Sequence, residues 1–175
     1  MAQLTQTVSH QLPSTKSPRR QLRAYFALTK PRVIELLLVT TVPAMVLAKG
    51  GWPRTFLVLA VLFGGALSAG GANAANCWIE RDSDRLMRRT HRRPLPAGEI
   101  TPTSALIFAI ALEVAAGAWL ALTVNVLSAT LAIGAALFYV FIYTLWLKPR
   151  SEQNIVIGGA AGAAPVLIVP RCSQP

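Results

Sequence analysis

A cluster of charged and amide side chains interrupts an otherwise apolar chain between residues 76 and 100. Asn76, Glu80 and Asp84 follow one another at intervals of four residues. On a continuous helix each interval turns by about 400°, so the three side chains would share one face over roughly 12 Å of axis. Oxygen ligands on one face are typical of a site for a hard cation such as Mg²⁺. Asp82 lies about 200° from Glu80 and is expected to face elsewhere.

Arginine side chains surround these acids and indicate what the cation would hold. Mg²⁺ takes one or two carboxylates and completes its shell with water and phosphate oxygens, while Arg and Lys neutralise the remaining phosphate charge. The pattern favours a Mg²⁺-bridged diphosphate that departs from an allylic carbon, because its developing charge is stabilised where it forms. The alternative is a solvated helix whose acids pair with Arg81, Arg85 and Arg88.

Hydropathy predicts the elements that hold this segment in place. Of the 175 residues, 53% are hydrophobic and 14% are charged, and the mean hydropathy is +0.48. These values exclude an ordinary soluble domain and indicate an all-α, polytopic transmembrane helix bundle. A hydrocarbon core needs about 20 apolar residues. Four blocks of about this length and a shorter fifth are predicted to span the membrane: 33–48, 55–75, 104–123, 126–147 and 155–169.

Lysine and arginine are distributed unevenly among the connecting segments. Six precede the first span and six lie between the second and third spans, whereas none lies between the third and fourth. By the positive-inside rule, the N-terminus and the loop at 76–102 are predicted to be cytoplasmic. The expected location is a bacterial plasma (inner) membrane. The lipid bilayer and a phosphorylated substrate account for the net charge of +10, so no nucleic-acid partner is expected.

Three further charged residues near or within the spans have two interpretations each. Lys30 begins the first span and Lys148 closes the fourth. Each could be a snorkelling anchor at the membrane interface or a ligand of the same diphosphate. Glu113 falls in the middle of the third span, where an ionised carboxylate is costly. It is interpreted as either a buried structural acid or a catalytic acid.

Three segments together resemble the protoheme IX farnesyltransferases, or haem O synthases, of the intramembrane (UbiA-type) prenyltransferase superfamily. They are LTKPRVIELLLVTTVPAM, NCWIERDSDRLMRRTHRRPLPAG and YTLWLKPRSEQNIVIGGAAGAAP, in the family's order across most of residues 25–168. The resemblance implies transfer of the farnesyl group of farnesyl diphosphate to a vinyl group of haem b, which gives haem O. The alternatives are a prenyltransferase for a quinone precursor or chlorophyllide, an inactive fragment, and a non-enzymatic membrane protein.

The resemblance also implies roles for individual residues. Asn76, Glu80 and Asp84 match the family's first Asn/Asp motif and are predicted to be catalytic and to bind Mg²⁺, with Asp82 as an intervening metal ligand. Glu80 stands where many relatives have Asp, which keeps the charge and adds a methylene. The residues predicted to bind the substrate diphosphate are Arg81, Arg85, Arg89, Arg93, Lys148, Lys30 and Arg32. The family further suggests contact with haem A synthase or with terminal oxidase assembly.

The domain organisation follows from the same patterns. Residues 1–24 are polar and are predicted to be a disordered cytoplasmic tail. Residues 25–169 are interpreted as the N-terminal part of a transmembrane prenyltransferase domain, with its catalytic loop at 76–102. After PVLI the sequence changes to VPRCSQP, and residues 170–175 are interpreted as an aberrant tail. Because the family pattern continues through more helices and a second Asp-rich motif, C-terminal truncation is expected.

Overall fold

The computed structural model describes residues 17–148 and 150, in which the regular elements are helices and no strand occurs. This confirms the predicted all-α bundle for the described part of the chain. A π-helix at Phe138–Leu147 continues the last α-helix without a break. The α-helices are α1 Pro18–Leu28, α2 Pro31–Lys49, α3 Thr55–Ile79, α4 Arg81–Leu86, α5 Pro102–Thr123 and α6 Val126–Leu137.

Four of these elements are long and apolar enough to cross a membrane: α2, α3, α5, and α6 together with the π-helix. Each contains one of the predicted spans. α3 has 25 residues and is therefore about 37 Å long, longer than a hydrocarbon core of about 30 Å. Its last turn, which carries Asn76, thus extends towards the membrane interface. The predicted fifth span at 155–169 and the tail at 170–175 lie outside the described residues.

α1 begins at Pro18, inside the segment 1–24 that was expected to be a disordered tail. Proline suits the first helical position because no N–H donor is needed there and its φ is already helical. The helix has only 11 residues, so tertiary packing rather than intrinsic propensity must stabilise it. Ala24 and Leu28 supply that packing, since both are buried in a cluster with residues of α3 and α5. Composition alone could not reveal this contact.

The packing of α3 against α5 forms the centre of the bundle. Small residues line it, including the buried Ala105, Ala109 and Ala116 of α5. At Gly71 of α3 an added Cβ would lie 3.0 Å from the carbonyl oxygen of Ala109. Small residues at such positions let two membrane helices approach closely. The glycine-rich part of α3 is therefore a packing surface.

Glu113 lies inside this α3–α5 interface. Ser68 of α3 donates a hydrogen bond of 3.2 Å to Oε2 of Glu113, and among the described residues the buried Oε1 has no partner. A Cβ at Gly71 would lie 2.8 Å from Oε1. Five residues, or roughly 7.5 Å of helix, separate Gly71 from Asn76. This position favours the structural interpretation of Glu113.

Gly71→Ala is predicted to destabilise the bundle, because the new methyl group meets the Glu113 side chain and the backbone carbonyl of Ala109, and the carbonyl cannot move without shifting α5. The expected loss is about 1–3 kcal/mol, measured as a lower midpoint of thermal unfolding by circular dichroism in detergent micelles. Gly134→Ala is the matched control, since no described atom lies within 4 Å of its added Cβ. Equal unfolding midpoints for the two variants would contradict close α3–α5 packing at Gly71.

Candidate functional site

The helix that carries the predicted acids bends at Glu80, so Asn76, Glu80 and Asp84 do not lie on one continuous helix. α3 ends at Ile79, Glu80 has φ −83° and ψ 0°, and α4 begins at Arg81. The i to i−4 hydrogen bonds continue across the bend, from Glu80 N to Asn76 O (3.0 Å) and from Asp84 N to Glu80 O (2.8 Å). The bend is therefore local, and residues four positions apart still lie about one helical turn apart.

Asn76 joins three elements at the end of α3. Only 2% of its surface is exposed. In the amide orientation that satisfies both of its polar atoms, Oδ1 accepts from Nζ of Lys30 at 2.7 Å. Nδ2 then donates to Oε1 of Glu80 at 3.1 Å and to Oγ1 of Thr144 at 3.2 Å. Glu80 also forms an ion pair with Lys148. We refer to Lys30, Asn76, Glu80, Thr144 and Lys148 as the polar cluster.

Lys30 occupies a constrained turn between α1 and α2. Its φ of 53° places it in the left-handed region, which is uncommon for a residue with a side chain. Nδ2 of Asn73 donates to the carbonyl oxygen of Thr29 at 3.0 Å, so α3 holds this turn as well as the Lys30 side chain. Burial lowers the pKa of Lys30 from its ordinary value, because desolvation disfavours the ammonium form. An anion bound beside it would offset that cost.

Asp84 is buried, with 3% of its surface exposed, and it pairs with Arg93 across the loop. The distance from Nη1 of Arg93 to Oδ2 of Asp84 is 2.7 Å. Thr90 donates from Oγ1 to the Asp84 carbonyl oxygen at 3.0 Å, which closes the loop on the same residue. Arg93 lies close enough to the polar cluster to act on the charge of Lys30. Asp84 and Arg93 thus fasten the loop to α4.

Other predicted ligands lie apart from the polar cluster. Asp82 is exposed and pairs with Arg81 at 3.6 Å and with Arg85 at 3.8 Å. Arg81 also stacks over the ring of Trp78, 4.9 Å from its centroid. Of the seven basic residues predicted to bind diphosphate, Lys30, Lys148 and Arg93 reach the cluster or its edge. Arg85 and Arg89 line a separate surface cavity of about 490 Å³, and Arg32 is exposed.

Thr144 contacts the site, although the sequence did not single it out. It lies in the π-helix and donates from Oγ1 to the carbonyl oxygen of Tyr139, five residues earlier, at 3.0 Å. Short π-helical segments occur frequently at functional sites. The feature of the sequence that could have indicated Thr144 is a hydroxyl side chain four residues before Lys148 in an otherwise apolar and aromatic run. Tyr139 and Tyr143 of the same segment stack with ring centroids 5.2 Å apart.

The donor set fits a Mg²⁺ ion held mainly by phosphate and water. Within residues 17–148 and 150, no three His, Cys, Asp or Glu side chains converge on a position that could hold a metal. Glu80 and Asn76 are adjacent, and Asp84 is the second carboxylate on the same segment. Mg²⁺ typically needs only one or two protein carboxylates beside a substrate phosphate. Metal binding by Asn76, Glu80, Asp82 and Asp84 stays a prediction, and Asp82 lies apart from the others.

Comparison with known proteins places the chain in a family. Residues 37–170 match the model of the UbiA prenyltransferase family. The chain belongs to this family. It is 63% identical over 149 residues to the protoheme IX farnesyltransferase of Clavibacter michiganensis subsp. michiganensis. This alignment covers 85% of this chain and 49% of that relative. No solved structure matches.

Two further relatives of this UbiA family member carry the same name. Protoheme IX farnesyltransferase 1 of Saccharopolyspora erythraea is 60% identical over 157 residues, covering 89% of this chain and 50% of the relative. The protoheme IX farnesyltransferase of Salinispora tropica is 53% identical over 155 residues, covering 89% and 48%. The resemblance stated from the sequence is confirmed. The chain spans about half the length of the curated relatives it matches.

Asp84→Asn is predicted to release the loop that Arg93 fastens, because it removes the buried partner of a charged side chain. The expected cost is about 2–3 kcal/mol. It should appear as faster tryptic cleavage after Arg88, Arg89 or Arg92 in the detergent-solubilised protein. Asp82→Asn is the matched control, since exposed ion pairs contribute only about 0–1 kcal/mol. If both variants were cleaved at the wild-type rate, Asp84 would not hold the loop.

Proposed function

We propose that this UbiA family member provides part of the site of a protoheme IX farnesyltransferase. The reaction joins the farnesyl group of farnesyl diphosphate to a vinyl group of haem b and yields haem O. The observation that carries the proposal is the polar cluster. It gathers an amide, a carboxylate and two ammonium groups at one end of an apolar bundle. The names of relatives at 53–63% identity support the choice of donor and acceptor.

The polar cluster has the charges that a diphosphate requires. Lys30 and Lys148 meet at Asn76 and Glu80, and Arg93 lies beside them. These three cations around two carboxylates, Glu80 and Asp84, leave a net positive charge where the diphosphate would bind. The burial of Lys30 makes its charge costly until an anion arrives. This arrangement favours an anionic headgroup over a neutral one.

Glu80, Asp84 and Asn76 would hold a divalent cation, for which Mg²⁺ is the proposed ion. When bound, the cation would neutralise charge on the departing diphosphate. Lys148 and Arg93 now neutralise these same carboxylates. A bound cation would take over the neutralisation of these carboxylates. Lys148 and Arg93 would then turn towards phosphate oxygens. The ion pairs of the described structure thus keep both sets of ligands in place.

The chemistry proposed for the site has three steps. The bond between the allylic carbon and the diphosphate oxygen breaks, and its electron pair leaves with the diphosphate. The π electrons of the vinyl group then form the new carbon–carbon bond. Water adds to the resulting cation and loses a proton, which gives the hydroxyethyl group. Lys30, Lys148 and Arg93 stabilise the charge that develops on the leaving group.

The polar cluster lies at the end of the bundle where α3 emerges, and the apolar helices below it would receive the farnesyl chain. The four apolar spans and the family assign the protein to the membrane as an integral protein. We place the cluster on the cytoplasmic face of a bacterial plasma membrane. Six arginines lie in the connection between α3 and α5, and such residues are retained on the cytoplasmic side.

Glu80→Gln is predicted to abolish Mg²⁺-dependent binding of farnesyl diphosphate and to lower haem O formation about 100-fold or more. Gln keeps the shape of the side chain but removes the charge that binds the cation and Lys148. Binding is measured by calorimetry on the purified chain. Product is measured by chromatography and mass spectrometry after supplying membranes with farnesyl diphosphate, Mg²⁺ and haem b.

Glu99→Gln is the matched control, because Glu99 pairs with Arg20 of α1 and not with the polar cluster. It is expected to keep wild-type binding. Unchanged Mg²⁺-dependent binding in the Glu80 variant would overturn the assignment of the site. Prenylation of a quinone precursor in place of haem b would keep the site and overturn the acceptor.

A further inference from the structure

Both attachments of α1 lie near the start of a membrane-spanning helix. Only Thr29 and Lys30 separate Leu28 from α2, and two residues reach at most about 7 Å. Near its other end, Arg20 pairs with Glu99 at 2.8 Å. Glu99 stands shortly before α5, whose first turn is capped by Thr101. α1 therefore cannot extend far from the ends of the spans.

α1 has one face against the bundle and a second apolar face directed away from it. Ala24 and Leu28 are buried in the cluster formed with α3 and α5. Leu22 and Phe26, one turn apart, are 73% and 63% exposed. Residues four apart share a face of a helix, so these two side chains form an apolar pair outside the bundle packing. Neither residue belongs to the polar cluster.

Arginines stand beside this apolar pair. Arg19 and Arg23 are also one turn apart, and on the helix they lie roughly 60° around from Leu22 and Phe26. α1 contains no Asp or Glu. An apolar stripe bordered by cations is the pattern of helices that lie in the membrane interface. There the apolar side chains enter the acyl boundary and the cations meet lipid phosphates.

We propose that the outer face of α1 is a docking surface for anionic phospholipid. Leu22 and Phe26 insert between the headgroups, and Arg19 and Arg23 bind the phosphate oxygens. A lipid surface fits better than a protein because the helix is tied to the interface at both ends. Its charge is also complementary to the anionic headgroups. The lipid contact holds α1, and with it the turn that carries Lys30, against the end of the bundle.

The test uses the full chain in vesicles, with Cys77→Ser and Cys172→Ser and a nitroxide attached at Leu22→Cys. Electron paramagnetic resonance measures the collision of the label with oxygen, which enters lipid, and with a water-soluble nickel complex. The Leu22→Cys label is expected to favour oxygen, and more so when phosphatidylglycerol is added to phosphatidylcholine. The double variant Arg19→Gln, Arg23→Gln should remove that increase. The population in which the label is inserted in lipid is expected to fall about fivefold for each arginine removed.

Ala27→Cys is the matched labelling control, since Ala27 is exposed on a different face of α1. Its label is expected to favour the nickel complex in both lipid mixtures. Equal nickel accessibility of the two labels would overturn the proposal. Shielding of the Leu22→Cys label from both reagents would also overturn it, because that result indicates a protein partner. Insertion that is unaffected by phosphatidylglycerol would overturn the role of the arginines.

Discussion

The hydrogen bonding of one buried amide fixes the geometry at the end of the bundle. Asn76 contacts Lys30 before α2, Glu80 at the bend after α3, and Thr144 in the π-helix. Because Asn76 is buried, its polar atoms must find partners within the protein. Since the amide offers both a donor and an acceptor, it can serve a cation, a carboxylate and a hydroxyl at once. The ends of three spans therefore depend on one side chain.

Both acids of the site are paired with bases before any ligand binds. Glu80 pairs with Lys148, which lies 68 residues away in the sequence, and Asp84 pairs with Arg93 across the loop. Paired charges are far less costly to bury than single ones. The same pairing holds both kinds of phosphate-binding group close together. Stability and readiness for a charged ligand thus come from the same contacts.

Much of the architecture could be predicted because the bilayer constrains it. The need for about 20 apolar residues per span located α2, α3, α5 and the helix that follows, and the four-residue spacing of Asn76 and Glu80 correctly indicated a shared location. α1 was missed because its stability comes from the burial of Ala24 and Leu28. The separation of Asp82 from the cluster followed from the helical angle. The pairing of Lys148 with Glu80 joins residues 68 apart, which no local pattern records.

The π-helix sets the rotational position of everything that follows it. Each π-type turn holds about one residue more than an α-turn. Converting one such turn to α-helix without changing the number of residues would rotate the following side chains by about 100°. Lys148 would then leave Glu80, although every span kept its length and hydropathy. The position of Lys148 therefore depends on the hydrogen-bond pattern of this stretch as well as on its apolar composition.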